Sequence, residues 1–245
     1  METFNIGNST SSLLSPPHQP TGSSIWPNIR TNTQVATQKA CGPFLSGSTC
    51  QNGANVIDVI VASDAPTKDV YVLLKINQTF DMNLENPSSS QYNELKTKTE
   101  KIAQFYRKVF RGHYRKMTVN GFSSGSIIVN TSASYRYNNN QTEIDSLNNN
   151  LDSEVTDIFN SSETLNVLAS MFNVTVVELL DTSSDSPITV ISQLQGFMKC
   201  SLDFANYTMV CNNGTCTCLG SCYTDPDVCN QAGRCFNRLY GPVCE

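Results

Sequence analysis

Residues 121–129 read Gly-Phe-Ser-Ser-Gly-Ser-Ile-Ile-Val, so a glycine-containing turn stands directly before a run of β-branched residues. Apolar side chains then recur at every second position, and mainly polar side chains fill the positions between them. The apolar series is Ile127, Val129, Ala133, Tyr135 and Tyr137, and the alternate series is Ile128, Asn130, Ser132, Ser134 and Arg136. This pattern predicts a strand with one buried face, joined through the turn to an earlier strand at Met117 and Val119.

The segment before this hairpin predicts one strand and one helix. Alternating apolar residues from Val70 to Ile76 are typical of a strand. The run Ser88–Ser90 offers a helix cap. The apolar positions that follow are spaced mostly by three or four residues, which favours an amphipathic helix. They are Tyr92, Leu95, Ile102, Phe105 and Val109.

The segment after the hairpin predicts a second helix and a last strand. Thr142 and Asp145 resemble a capping box. The apolar positions of this helix are Ile144, Leu147, Leu151, Val155 and Ile158. The stretch Val174–Leu179 then predicts a strand. The order βαββαβ is that of an α+β, ferredoxin-like sandwich, in which one antiparallel sheet carries helices on one face.

The turn also carries a family motif. Gly125-Ser126-Ile127-Ile128-Val129 resembles the G-S-V-V-V self-cleavage motif of SEA domains, and it lies in the same turn of the same element order. The resemblance covers roughly residues 67–181. It implies that the backbone cuts itself between Gly125 and Ser126 during folding and that the two pieces stay together noncovalently. The alternative is an ordinary hairpin loop that is never cut.

The residue types at this turn suit such a reaction. Gly125 lacks a Cβ, so its backbone can adopt a strained conformation. The Ser126 hydroxyl can attack the preceding carbonyl, and water can hydrolyse the ester that forms. No dedicated general base is visible in the sequence. The pattern Gly121-x-Ser123-x-Gly125 also spells a nucleophile elbow, but a strand follows it and no histidine comes after His113, which argues against a hydrolase.

Composition restricts the compartment and the partners. The chain of 245 residues has a formal net charge of -5 and only 15% charged residues, while Asn, Ser and Thr number 26, 28 and 23. An acidic chain lacks the basic field that a nucleic-acid partner needs. Seven of the ten cysteines fall in residues 211–244, which is typical of a disulfide-stapled module in an oxidising compartment.

The cysteine spacings on both sides of the central domain resemble parts of EGF-like domains. Cys41-x8-Cys50 resembles the closing loop of one repeat, and Cys222-x6-Cys229-x5-Cys235-x8-Cys244 resembles the opening of another. This resemblance implies pairing of Cys41 with Cys50, Cys222 with Cys235, and Cys229 with Cys244. The remaining four can pair in three ways, and a zinc site is the less favoured alternative. These four are Cys200, Cys211, Cys216 and Cys218.

We therefore divide the chain into five segments. Residues 1–40 are expected to form a disordered Ser/Thr/Pro-rich stalk, and residues 41–66 an EGF-like remnant and linker. Residues 67–181 are expected to form the SEA domain, residues 182–199 a linker, and residues 200–245 a truncated EGF-like segment. The first ten residues lack a secretory pattern, so we expect a piece of a longer precursor. Eight glycosylation sequons occur, at Asn8, Asn77, Asn130, Asn140, Asn160, Asn173, Asn206 and Asn213.

The order of EGF-like segment, SEA domain and second cysteine module resembles the juxtamembrane region of the gut-type transmembrane mucins, and this resemblance implies an extracellular piece of a single-pass, mucin-like glycoprotein. Its membrane helix is expected beyond residue 245, and its first partner is its own cleaved piece. The alternatives are an uncut spacer that presents an EGF-like module to a receptor of the EGF-receptor type or to the matrix, and a proteoglycan core. Apart from the single cut in its own backbone, we expect no enzyme activity, cofactor, metal or nucleic-acid partner.

Overall fold

The computed structural model describes residues 40–172, 174–180, 186–230 and 233–245, which belong to one compact unit. The stalk predicted for residues 1–40 therefore lies, apart from Ala40, outside the described residues, as do Asn8 and Asn173.

The strands are β1 Leu45–Ser46, β2 Asn52–Gly53, β3 Val56–Ile57, β4 Val59–Val61, β5 Thr67–Ile76, β6 Tyr114–Ser123, β7 Ile127–Arg136, β8 Val174–Leu180, β9 Met198–Cys200, β10 Tyr207–Asn212, β11 Thr215–Gly220, β12 Cys235–Arg238 and β13 Gly241–Cys244. The α-helices are α1 Ser90–Glu100, α2 Ala103–Tyr106, α3 Gln141–Asn160, α4 Ser162–Phe172 and α5 Ser221–Thr224, and short 3₁₀ helices span Met82–Glu85 and Ile191–Phe197.

The central sheet has the strand order β6-β7-β5-β8, and all its pairs are antiparallel. The predicted first, second, third and last strands are all present, and this confirms the α+β class with one antiparallel sheet. Alternate residues of β7 face the helices, and Val129, Ala133 and Tyr135 are fully buried there. Thr131 shares that face, because its hydroxyl is bonded within the core.

The helices differ from the prediction in three details. The first helix breaks near Ile102, so α1 and α2 are separate, although the Ser89 hydroxyl caps α1 as predicted by accepting from the Tyr92 amide at 3.0 Å. The capping box predicted at Thr142 and Asp145 is wrong, because Asn140 caps α3 by accepting from the Glu143 amide at 3.2 Å. Helix α4 was not predicted.

The core lies between the sheet and the helices. Residues assigned to a linker also contribute to it, because Ile188 and Leu194 are buried there. The apolar members of the core are Val70, Val72, Leu74, Ile76, Leu84, Ile102, Phe105, Tyr106, Val109, Val119, Phe122, Ile127, Val129, Ala133, Tyr135, Tyr137, Ile144, Leu147, Leu151, Val155, Phe159, Leu168, Phe172, Ile188 and Leu194. Burial of these side chains from several elements is what fixes the helices on the sheet.

Phe159 packs helix α3 against helix α2, and its truncation tests the core. Its ring lies 6.0 Å from Phe105 and 5.0 Å from Tyr106, both on the α2 turn. We expect Phe159→Ala to lower the free energy of unfolding by about 3–5 kcal/mol, because it removes apolar contacts and leaves a cavity. Chemical denaturation followed by circular dichroism measures this, with exposed Leu165→Ala of α4 as the control. A loss below about 1 kcal/mol would contradict the packing role, since that is the range of conservative core changes.

Five disulfides hold the segments on either side of the central sheet. The three pairs implied by the EGF-like spacing are present: Cys41–Cys50, Cys222–Cys235 and Cys229–Cys244. The four remaining cysteines form Cys200–Cys218 and Cys211–Cys216. No cysteine of the described residues is free, so the thiolates that a zinc site would need are absent from this part of the chain.

Candidate functional site

The turn between β6 and β7 consists of Ser124, Gly125 and Ser126. On its two sides Ser123 pairs with Ile128, and Phe122 pairs with Val129. Ser123, Ser124 and Gly125 are exposed to solvent, whereas Ser126 is half-buried. The turn is therefore open to water while both of its ends are held in the sheet.

Two successive residues of this turn have positive φ. Gly125 has φ +104° and Ser126 has φ +65°. At Gly125 the backbone angle and not crowding favours glycine, because the nearest atom to an added Cβ is Ile128 Cδ1 at 3.9 Å. At Ser126 a side chain is forced into the left-handed region, which costs on the order of 1–3 kcal/mol. The peptide group joining Gly125 to Ser126 thus lies between a glycine at a φ that suits it and a serine whose φ is unfavourable.

The residues that flank the turn explain why these angles persist. Ile127 is buried and pairs with Ile76 of β5 in the middle of the sheet. Phe122 is buried, and its ring meets the Tyr92 ring of α1 edge-on at 5.0 Å. Both ends of the turn are therefore anchored in the core, and folding energy can be transmitted to the backbone between them.

A second irregularity lies close to the turn. The pairing of β6 with β7 shifts between Val119 and Gly121, and Gly121 has φ +154°. A bulge of this kind increases the local twist of a hairpin and redirects its end. The turn with positive φ at Gly125 and Ser126 therefore extends from a strand that is already irregular.

The chemistry available at the turn is limited to backbone and hydroxyl groups. The Ser126 hydroxyl belongs to the residue that directly follows the Gly125 carbonyl. The one histidine in the described residues, His113, is far away: its carbonyl accepts from the Arg136 amide at the other end of β7, ten residues or roughly 30 Å along the strand. His113 is also buried and not a surface residue, since its Nδ1 lies 2.9 Å from the Arg136 carbonyl oxygen and its Nε2 lies 3.4 Å from Glu143 Oε2.

The sheet order determines what a cut at this turn would leave. A cut after Gly125 would place β5 and β6 in an N-terminal piece and β7 and β8 in a C-terminal piece. Because the order is β6-β7-β5-β8, strands of the two pieces alternate, and every ladder of this sheet joins one piece to the other. The two pieces would therefore share one sheet and one core.

The disulfides do not cross the turn. Cys41–Cys50 lies wholly before Gly125, and the four other disulfides lie wholly after Ser126. A cut in the turn would therefore leave no covalent link between the two pieces among the described residues.

The region that contains this turn matches a known protein family. The SEA domain family model matches residues 68–151. The chain contains a SEA domain. The match runs from the start of β5 into α3, so the turn at Gly125 and Ser126 falls inside the SEA domain. The chain has no significant sequence match among the curated proteins.

The SEA domain and the disulfides together indicate an extracellular protein of mucin-like or adhesion type. Across the described ranges, no helix has both the length and the apolar character required to span a bilayer. The described residues also hold no group of three or more His, Cys, Asp and Glu side chains that could bind a metal ion.

The described sequons differ in their surroundings. Asn77, Asn160 and Asn213 are exposed, and Asn130 and Asn140 are half-buried. Asn206 is 8% exposed, and its Nδ2, the atom to which a glycan is attached, donates to Asn237 Oδ1 at 2.6 Å. A glycan on Asn206 would therefore require this buried contact to be broken.

Sequence reasoning located the turn but missed its backbone conformation. The motif pointed to Gly125 and Ser126, and the structure brings them together as neighbours with positive φ. Positive φ is expected at a glycine in a turn, but nothing in the sequence signals it for Ser126. The bulge at Gly121 had one available signal, the glycine inside a strand pattern.

Proposed function

We propose that this chain is a self-cleaving extracellular joint. The observation that carries the proposal is the exposed turn at Gly125 and Ser126, in which two positive φ angles adjoin a peptide bond that is followed by a hydroxyl. Supporting it are the SEA motif at the same position and the absence of a disulfide across the turn among the described residues.

The proposed reaction is an acyl shift followed by hydrolysis. Ser126 Oγ attacks the Gly125 carbonyl carbon, the C–N bond breaks, and the hydroxyl proton passes to the Ser126 nitrogen, which becomes an amine. The product is an ester between the Gly125 carbonyl and Ser126 Oγ. One water then hydrolyses this ester, which leaves a Gly125 carboxylate and restores the Ser126 hydroxyl.

Backbone strain takes the place of a dedicated base in this proposal. A left-handed serine stores on the order of 1–3 kcal/mol, which the cut releases. Since each 1.36 kcal/mol of barrier corresponds to tenfold in rate, relief of that strain in the transition state accelerates the shift by about 5- to 150-fold. Solvent exposure of the turn supplies the water for the second step.

After the cut, the alternating strands would keep the two pieces together. The joint would then open only when the ladders β6–β7, β7–β5 and β5–β8 separate. We place this joint in the juxtamembrane part of a single-pass, mucin-like glycoprotein with EGF-like flanks. The outer glycosylated region would be released under mechanical load.

The unaltered protein provides the direct test. Secreted recombinant chain is expected to have the full mass under native conditions and to give two fragments in denaturant, one ending at Gly125 and one starting at Ser126. Intact-mass spectrometry in both conditions measures this, with N-terminal sequencing of the second fragment. One uncut chain in denaturant, or fragments that meet at another bond, would contradict the proposal.

One observation favours the alternative of an uncut binding module. Leu239 and Tyr240 protrude from the turn between β12 and β13, and Tyr240 is 92% exposed. An exposed aromatic and aliphatic pair at a hairpin tip offers apolar contact area to a receptor or matrix partner. An uncut chain that binds a specific partner through these two residues would support this function.

A further inference from the structure

The segments on the two sides of the SEA domain form one structure together. Strand β2 pairs with β12 at Gly53 and Asn237, β3 pairs with β11 at Ile57 and Cys218, and β4 pairs with β9 from Val59 to Val61. All three pairs are antiparallel and join residues more than 130 positions apart in the chain. We call these three strand pairs, with the side chains that bridge them, the flank interface.

Every pair of the flank interface also crosses the cut. Strands β2, β3 and β4 precede Gly125, whereas β9, β11 and β12 follow Ser126. We propose that the flank interface is a second noncovalent contact between the two pieces, which must open in addition to the SEA sheet before the pieces separate. The physiological role of this contact rests on the proposed function, but its existence does not.

Backbone bonds extend the strand pairs at both ends. The Ser201 amide donates to the Asp58 carbonyl at 2.9 Å, and the Ala62 amide donates to the Phe197 carbonyl at 2.7 Å. The Gly220 amide donates to the Asn55 carbonyl at 2.9 Å. Each of these bonds joins a residue before the cut to one after it.

Buried polar side chains fix the register of the flank interface. Asn237 is fully buried; its Oδ1 accepts from Asn206 Nδ2 at 2.6 Å and from the Cys222 amide at 3.2 Å. Its Nδ2 donates across the cut to Asn55 Oδ1 at 3.0 Å. Removing a partner from such a cluster leaves a buried amide unsatisfied, which is costlier than losing an exposed hydrogen bond.

Two further contacts cross the cut close to this cluster. Arg238 Nε donates to Asn52 Oδ1 at 3.1 Å, and the Tyr207 hydroxyl donates to the Ala54 carbonyl. At Gly53 an added Cβ would lie 2.3 Å from the Tyr207 hydroxyl oxygen, so the two pieces approach closely there. Close packing is a feature of a specific interface.

Each piece also holds its own flank against its own part of the SEA domain. Before the cut, the Arg115 guanidinium of β6 donates to the Ser63 carbonyl. After the cut, Asn139 donates to the Cys216 carbonyl at 2.6 Å and accepts from the Cys216 amide at 2.8 Å. The flanks are thus attached to the SEA domain on both sides of the cut, and we expect the contribution of the flank interface to add to that of the SEA sheet.

Ile57 provides the test of the flank interface. Ile57 is 1% exposed, whereas Val56 on the same strand is 44% exposed and serves as the matched control. The full chain is prepared with a site-specific protease sequence in place of residues 124–126, which removes Ser126, so that only the protease makes the cut. The C-terminal piece is then immobilised, and the release rate of the N-terminal piece is measured in urea.

We expect Ile57→Ala to release the N-terminal piece at least tenfold faster than the parent, because a buried side chain of the interface is truncated. Val56→Ala is expected to remain within about threefold of the parent rate, in line with the small effects of exposed substitutions. Equal release rates for Ile57→Ala, Val56→Ala and the parent would overturn the proposal. Failure of self-cleavage in the unaltered chain would leave these rates as they are, so the two proposals fail separately.

A crosslink keeps the proposal testable if Ile57→Ala does not fold. Ile60 and Lys199 are direct partners in the β4–β9 pair and both are exposed. Cα atoms of such a pair lie within the range that a disulfide spans. The double variant Ile60→Cys with Lys199→Cys is expected to keep the two cut pieces joined in denaturant until reductant is added. Pieces that separate without reductant would show that β4 and β9 are not paired in solution and would overturn the proposal.

Discussion

A chain with Ser126→Ala is expected to remain one full-length polypeptide in denaturant, whereas the unaltered chain gives two fragments. The alanine has no hydroxyl, so no ester can form at the Gly125 carbonyl and the acyl shift has no first step. The fold is expected to persist, because the β6 and β7 ladders and the buried residues on both sides of the turn are unchanged. Denaturing electrophoresis and intact mass measure the result.

Two controls separate the role of the hydroxyl from a general effect on the turn. Ser124→Ala changes an exposed serine of the same turn and is expected to cut as the unaltered chain does. Ser126→Cys retains a nucleophile at the same atom position and is expected to cut through a thioester. Two fragments from Ser126→Ala, or an intact chain from Ser124→Ala, would rule out the proposed reaction.

Alkaline pH is expected to destabilise the SEA domain strongly. Burial raises the pKa of Tyr106 and of Tyr135 far above the ordinary value of 10, and burial raises the pKa of Tyr137 to about 12. The folded chain therefore keeps these protons at a pH where the unfolded chain loses them. The stabilisation that the protonated tyrosines give to the folded chain is complete below pH 10 and is lost as the pH rises through 12. Over this range the free energy of unfolding falls by about 1.4 kcal/mol per pH unit for each tyrosine.

The same tyrosines join the two pieces across the turn. The Tyr106 hydroxyl lies 2.9 Å from Thr131 Oγ1, and the Tyr135 hydroxyl donates to the Tyr106 carbonyl at 2.9 Å. Tyr106 precedes the cut, whereas Thr131 and Tyr135 follow it. In a cut chain we therefore expect alkaline separation of the pieces between pH 10 and 12, measured by size exclusion at graded pH.

A single substitution tests how steeply the stability of the SEA domain falls with pH. Tyr137 donates to Asn148 Oδ1 at 2.7 Å, and Tyr137→Phe removes one of the three SEA-domain tyrosines named above. We expect the loss of stability per pH unit above pH 10 to become smaller by about 1.4 kcal/mol. Tyr240→Phe, which changes an exposed tyrosine, is expected to leave the curve as it is. Stability that stays constant from pH 10 to 12 would contradict the assignment.

The sequence predicted the central sheet well because its signals are local. In β7 a side-chain period of two predicts alternating buried and less buried residues, and the structure has this alternation except at Ser134, which is buried. Strand β5 behaves in the same way, since Val70, Val72 and Leu74 are all buried. The turn was found because glycine and serine stand between two such patterns.

Helix ends and breaks were predicted less well, because several residues compete for each role. Asn140, Thr142 and Ser161 all have side chains that can cap a helix, and tertiary contacts decide among them. Asn140 is the one whose Oδ1 meets the Glu143 amide. Helix α4 begins one residue after Ser161, which separates it from α3, and this short break concealed it.

The contact between the two flanking segments could not be predicted from the sequence. Each cysteine segment was interpreted by its own spacing, and spacing carries no information on which distant strand a short strand joins. Strand β2 has two residues and β3 has two, too few to show a period. Asn55 and Asn237 are 182 positions apart, and a single asparagine pair has no sequence signature.

The alternating strand order has a consequence for the lifetime of the proposed joint. A released N-terminal piece would keep β5 and β6, which are not neighbours in the sheet, so neither piece retains a ladder of its own there. Each would expose unpaired strand edges and half of a core, and such surfaces aggregate or attract proteases. Reassembly would require β7 to insert again between β6 and β5 of an N-terminal piece that has unfolded. Opening of the joint would therefore be irreversible, and the uncleaved precursor would have to be synthesised again for each event.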